Sequence, residues 1–118
     1  MDLVQLFHHE TDLLSVNAGQ ALFKQGEPGD LMYVLMSGMA EIVVHDKVVE
    51  TAEPGAIVGE MAMVDDLARS ASVIARTDCQ FLPIARKRFN FLVQQTPHFA
   101  LHVMRIMADR LRRTDELL

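Results

Sequence analysis

Between residues 12 and 84 the apolar residues come in short runs, each closed by turn-forming residues. The runs LLSV (13–16), QALF (20–23), MYVLM (32–36), AEIVV (40–44), KVVET (47–51), ASVIA (71–75) and QFLPI (80–84) are rich in β-branched and aromatic side chains. Such residues fit a pleated, half-buried surface and predict strands. Most gaps between them are too short for a crossover helix, so an antiparallel barrel or sandwich is expected, not a parallel βαβ sheet. The glycines at 19, 26, 29, 38, 55 and 59 all fall between or at the ends of these runs. Gly26-Glu27-Pro28-Gly29-Asp30 is the densest turn signal, and Ser37-Gly38 and His45-Asp46 read as hairpin turns.

Both ends of the chain follow a helical period instead. MDLVQLFHH at the start predicts about two helical turns with Leu3, Leu6 and Phe7 on one side. Residues 86–95 carry Phe89, Leu92 and Val93 at helical spacing, and Thr96-Pro97 restarts the chain with a cap and a proline tolerated at the first position. From Pro97 to Leu118 the apolar residues form two stripes. Phe99, Val103 and Ile106 make one; Ala100, Met104, Met107, Leu111 and Leu118 make the other. One stripe can pack on the barrel, which leaves the second for a lid or a partner helix.

At 118 residues this is a single domain: a helical segment (1–11), a β-barrel (12–84) and C-terminal helices (85–118). Half of its residues are hydrophobic and 23% are charged, which suits a packed core. The net charge of −5 argues against general nucleic-acid binding. Basic residues do bunch at Arg86, Lys87 and Arg88 and at Arg105, Arg110, Arg112 and Arg113, but acidic neighbours punctuate the second group, which reads as a solvated helix face. Cys79 is the lone cysteine, so no intrachain disulfide can form. With no leader pattern and no membrane span, the cytoplasm is the expected address. His98 and His102, and likewise His8 and His9, lack a third ligand at useful spacing, so no metal is expected. The eight methionines are expected to fill core gaps and the lid interface.

The stretch from Pro54 to Ala75, PGAIVGEMAMVDDLARSASVIA, carries the chemistry. A short helix beginning near Gly59 would aim backbone N–H groups at whatever precedes it, an arrangement suited to an anion. Arg69 offers a planar fork of donors matched to two phosphate oxygens, and Ser70-Ala71-Ser72 would let a ligand approach the backbone closely. Glu60 accepts only; it would repel phosphate yet accept well from a sugar hydroxyl. An anion and a hydroxyl held together describe a nucleotide whose phosphate lies against its own ribose.

FKQGEPGDLMYVLMSGMAEI (23–42), followed by PGAIVGEMAM and ARSASVIA, resembles the cyclic-nucleotide-binding domain family, and the resemblance covers nearly the whole chain. It implies a jelly-roll (double-stranded β-helix) barrel, mainly β with flanking helices and closed by two C-terminal helices, with a phosphate-binding cassette at 55–72. By match, Arg69 would pair with the cyclic phosphate and Glu60 would accept the ribose 2′-hydroxyl. The backbone around Gly59, Met61, Ala62 and Ala71 would add hydrogen bonds, and Ser70 a hydroxyl. Serine at 70 favours cyclic AMP over cyclic GMP. The final helix would cover the base, with Met104, Arg105 and Met107 as the contacts. Ala68 and Val58 depart from the proline and phenylalanine frequent in the family.

The resemblance implies a sensory or regulatory module, not an enzyme. It would hold a cyclic nucleotide, reposition its last helix, and engage a second copy or an effector through that helix. No helix-turn-helix is present, so direct DNA binding is not expected. Two alternatives stand beside this reading. Glu60 and Arg69 could form a structural ion pair in a domain that serves only for protein interaction or dimerisation. A cupin-like enzyme would need inward histidines around a metal, and the barrel segment offers only His45, in a turn.

Overall fold

The computed structural model describes residues 1–116. A one-turn helix α1 (Leu3–Leu6) leads into strands β1 (Leu14–Val16), β2 (Ala21–Phe23), β3 (Leu31–Ser37), β4 (Ala40–Val44), β5 (Lys47–Ala52) and β6 (Ile57–Val58). A short 3-10 helix (Glu60–Met63) follows, then β7 (Ser72–Ala75), β8 (Cys79–Ala85), and helices α2 (Arg86–Gln95) and α3 (Pro97–Glu116). The strands form two antiparallel four-stranded sheets, ordered β1-β8-β3-β6 and β2-β7-β4-β5. The expected jelly roll is thus two facing sheets rather than a closed barrel.

Strand β3 explains why MYVLM reads as an unbroken apolar run. Tyr33 and Leu35 point into the core between the sheets, with Phe23, Ile42, Val73 and Phe81. Met32 and Val34 point the other way, into a second core with Leu3, Phe7, Phe99 and Val103 of the helices. A strand buried on both faces has no polar alternation to display. Pro83 sits on β8 beyond Phe81, where β1 pairing ends, so one side there has no neighbouring strand and the missing N–H is tolerated.

The loops refine the expectations. His45 and Asp46 both have positive φ, 49° and 66°, and link β4 to β5 directly at Val44↔Lys47. That is the two-residue hairpin whose twist matches the strands. Ser37-Gly38 is not a hairpin turn. It carries the chain from one sheet to the other, and a Cβ on Gly38 would collide with the Asp78 carbonyl. Ile57-Val58 forms an unforeseen strand beside β3, Ile57 facing the helices and Val58 the inner core. Leu3 of α1 and Phe7, which caps it, are buried, but Leu6 lies off their stripe and is exposed. The α3 stripe of Phe99 and Val103 is buried, with Ile106 packed against it. Met107 also leans on that core, whereas Met104 and Leu111 face outward; Leu118 lies outside the described residues.

Candidate functional site

A pocket of about 540 Å³, counting its open mouth, lies where the inner face of β2, β4 and β7 meets the β6 edge of the opposite sheet. Its floor is apolar, made by Phe23, Ile42, Val58 and Val73. Gly59, Glu60, Met61 and Ala62 line one wall, and Leu67, Ala68, Arg69, Ser70 and Ala71 another. The Gly59-to-Ala71 residues singled out from the sequence therefore converge on one cavity. The 3-10 helix is a single turn and carries little macrodipole, so positive charge at the pocket comes from side chains, those of Arg69 and Arg110.

The turn-rich segment before β3 fixes Arg69. The Gly26 N–H donates to the Arg69 carbonyl at 2.8 Å, and the Arg69 N–H donates to the Glu27 carbonyl at 2.8 Å. Its guanidinium lies over the Phe23 ring, 4.1 Å from the centroid, and reaches the Gly59 carbonyl at a long 3.5 Å. Two glycines make the space. A Cβ on Gly29 would collide with the guanidinium, and one on Gly59 would come within 2.7 Å of Nη1. Gly59 also has φ +73°, which disfavours any side chain. Arg69 Nε is buried with no hydrogen-bond partner. A buried unsatisfied donor is costly and rare, and this one belongs to a cation within a pocket wall. Beneath it, burial pushes the Tyr33 phenol pKa up, against the lowering influence of Arg69 and with a further rise from Asp30.

Glu60 and Arg69 do not pair with one another. Glu60, only 6% exposed, is ion-paired with Arg110 of α3. Arg110 Nη2 donates to the Ile57 carbonyl at 2.8 Å, and Nε and Nη2 donate to Glu50 of β5 at 3.1 and 3.0 Å. Burial works against the Arg110 charge, but hydrogen bonding and attraction from Glu50 and Glu60 outweigh it and hold its pKa above the ordinary arginine value. Arg110 is thus no part of a solvated face; it lines the pocket and ties α3 to both sheets. Its signal was in the spacing: Phe99, Val103, Ile106 and Arg110 continue one stripe at intervals of four, three and four, which puts a charge on the core-facing side.

Met104, Arg105 and Met107 do not line the pocket. Met104 and Arg105 are exposed on other faces of α3 than Arg110, and Met107, one turn before Arg110, packs toward the helix core. Among the described residues, no cluster of three or more histidines, cysteines or acidic residues could hold a metal ion. No helix among them is long and apolar enough to cross a membrane.

Two facing antiparallel sheets, helices stacked on one of them, and an apolar-floored pocket lined by Arg69, Arg110 and the buried Glu60 describe a β-sandwich module suited to a small ligand. The family model described as "Cyclic nucleotide-binding domain" matches residues 13–96, and the chain belongs to that family. The cyclic AMP receptor protein of Thermus thermophilus is 30% identical over 82% of this chain and 47% of its own length. Human Rap guanine nucleotide exchange factor 3 is 37% identical over 65% of this chain and 9% of its own. The chain therefore spans less than half the length of either relative. A solved structure of PKAR CBD2 bound to Sp-2Cl-cAMPS superposes with a TM-score of 0.78 at 26% identity, covering 97% of this chain and 84% of that one.

Proposed function

We propose that the chain binds cyclic AMP in the pocket between β6 and the opposite sheet, and that occupancy biases the placement of α3. The observation that carries this is the Arg69 side chain: its Nε is buried and unpartnered, its backbone is bonded to Gly26 and Glu27, and Gly29 and Gly59 leave room for the guanidinium. A phosphate would supply the acceptor it lacks. Glu60 supplies the complementary acceptor for a ribose hydroxyl, and Ser70 lines the same wall. Cyclic AMP is preferred over cyclic GMP because residue 70 is serine. The relatives named for cyclic AMP, or solved with an analogue of it, support that choice.

Because Arg110 joins the pocket carboxylate to α3, a ligand that prefers one arrangement of Glu60 also prefers one placement of the helix. The outward residues Met104 and Leu111, 59% and 65% exposed, are the surface offered to an effector or a second copy. Titration calorimetry with cyclic AMP and cyclic GMP tests the binding. Arg69→Ala is expected to lose about 2–5 kcal/mol of affinity, since the phosphate would stay buried without its partner. Equal affinity in wild type and variant refutes the assignment. Amide-exchange protection across residues 97–116 that saturating ligand leaves unchanged would refute the coupling to α3.

A further inference from the structure

Strand β5 turns the wrong residues outward. Val48 and Val49 are 53% and 40% exposed, whereas the Glu50 side chain retains only 20% exposure. A strand that shows valines to water and draws a carboxylate inward breaks its local preference, and such departures are found where a specific interaction compensates. Here the partner is Arg110. Both oxygens of Glu50 accept from it, in a fork that fixes the plane of the guanidinium. The Ile57 carbonyl takes a further bond from Nη2, and Nη1 is left directed at Glu60. The position of the pocket carboxylate is therefore set from β5, by a residue that does not itself line the pocket.

We infer that Glu50 is a positioning residue for the sugar end of the site: through Arg110 it holds the Glu60 carboxylate where it accepts from the 2′-hydroxyl of a bound cyclic nucleotide. The inference rests on the nucleotide reading of the pocket and adds to it the element that orients the acceptor. Glu50 belongs to one sheet, Glu60 follows β6 of the other, and Arg110 belongs to α3. One guanidinium thus makes the register of three elements a condition for a single hydrogen bond. Arg113 also reaches Glu50 at 3.0 Å, but its side chain is 56% exposed, and an exposed pair is screened and weak.

Calorimetry with cyclic AMP and 2′-deoxy cyclic AMP separates this role from a merely structural one. It is run on wild type, Glu50→Gln and Arg110→Lys, with thermal melts to establish folding. Wild type should favour cyclic AMP by roughly tenfold or more, the range for a hydrogen bond to a charged group. Glu50→Gln should weaken cyclic AMP by roughly tenfold, as expected within one hydrogen-bonded network, and leave the deoxy ligand nearly unaffected. Arg110→Lys keeps the charge without the fork and should reduce the discrimination in the same way. An equal loss for both ligands, or an unchanged ratio in both variants, overturns the inference while the pocket reading stands. Failure of wild type to bind cyclic AMP overturns both.

Discussion

Replacing Gly29 by alanine isolates the Arg69 guanidinium from the rest of the pocket. A Cβ at position 29 would fall on Nε, Nη2 and Cζ of Arg69, closer than van der Waals contact permits. Gly29 is not among the positive-φ glycines, so alanine introduces no backbone strain there. The obstruction is the far end of a flexible side chain, and it must retreat by roughly 1 Å to restore ordinary contact. The guanidinium then loses its seat over Phe23, worth about 0.5–1 kcal/mol, so the unfolding free energy should fall by no more than about 1 kcal/mol. Affinity should fall further. A charge-assisted hydrogen bond to phosphate knocked out of line costs about 1.5–3 kcal/mol, or roughly ten- to hundredfold in Kd. Calorimetry on Gly29→Ala, Arg69→Ala and the double variant checks the chain of cause. Both changes act on one guanidinium, so the double variant should bind no more weakly than Arg69→Ala. Wild-type affinity in Gly29→Ala, or additive losses in the double variant, would refute the reasoning.

Phe99 is fully buried and meets Phe7 and Phe89 edge-on at 6.5 and 5.8 Å, joining all three helices; Phe99→Ala should cost about 3–5 kcal/mol in urea unfolding. A loss under about 1 kcal/mol would contradict that packing. His102 has its pKa pushed below its ordinary 6.5, by burial first and then by the N-terminal amine and Arg105. The folded state therefore binds fewer protons than the unfolded one as pH drops through that range, and stability that is full above pH 6.5 is lost below it. His102→Gln should flatten the fall in melting temperature between about pH 7 and 5; an unchanged slope would count against it.

Strands were legible wherever neighbouring residues decide them. AEIVV and KVVET pair across a two-residue turn, and that turn's positive φ values fall on histidine and aspartate, residues that tolerate them. Ser37-Gly38 misled because a sheet corner and a hairpin make the same demand on glycine, and only the packing of two sheets separates them. Ile57-Val58 was missed because two residues between glycines have no period, and their pairing with Tyr33 and Val34 is decided by tertiary structure.

The convergence of Gly59, Glu60 and Arg69 on one pocket was legible for a different reason: they lie within one short segment, so chemistry and spacing can be read together. Glu60 still could not be understood from that segment. A carboxylate this buried needs a countercharge, and the nearest candidate in sequence, Arg69, is occupied with Phe23 and the glycine gaps. The countercharge arrives from Arg110, 50 residues away, and is itself balanced by Glu50, 60 residues away from it. Counting charges along α3 groups Arg110 with Arg112 and Arg113 as solvent-facing. The period of its buried stripe separates it from Arg112, because a helix presents residues 99, 103, 106 and 110 to one side. A lone arginine on an otherwise apolar stripe must meet an anion on the surface it packs against. Among the described residues the buried charge is Glu60, which lines the pocket, and it is one of the anions that Arg110 meets.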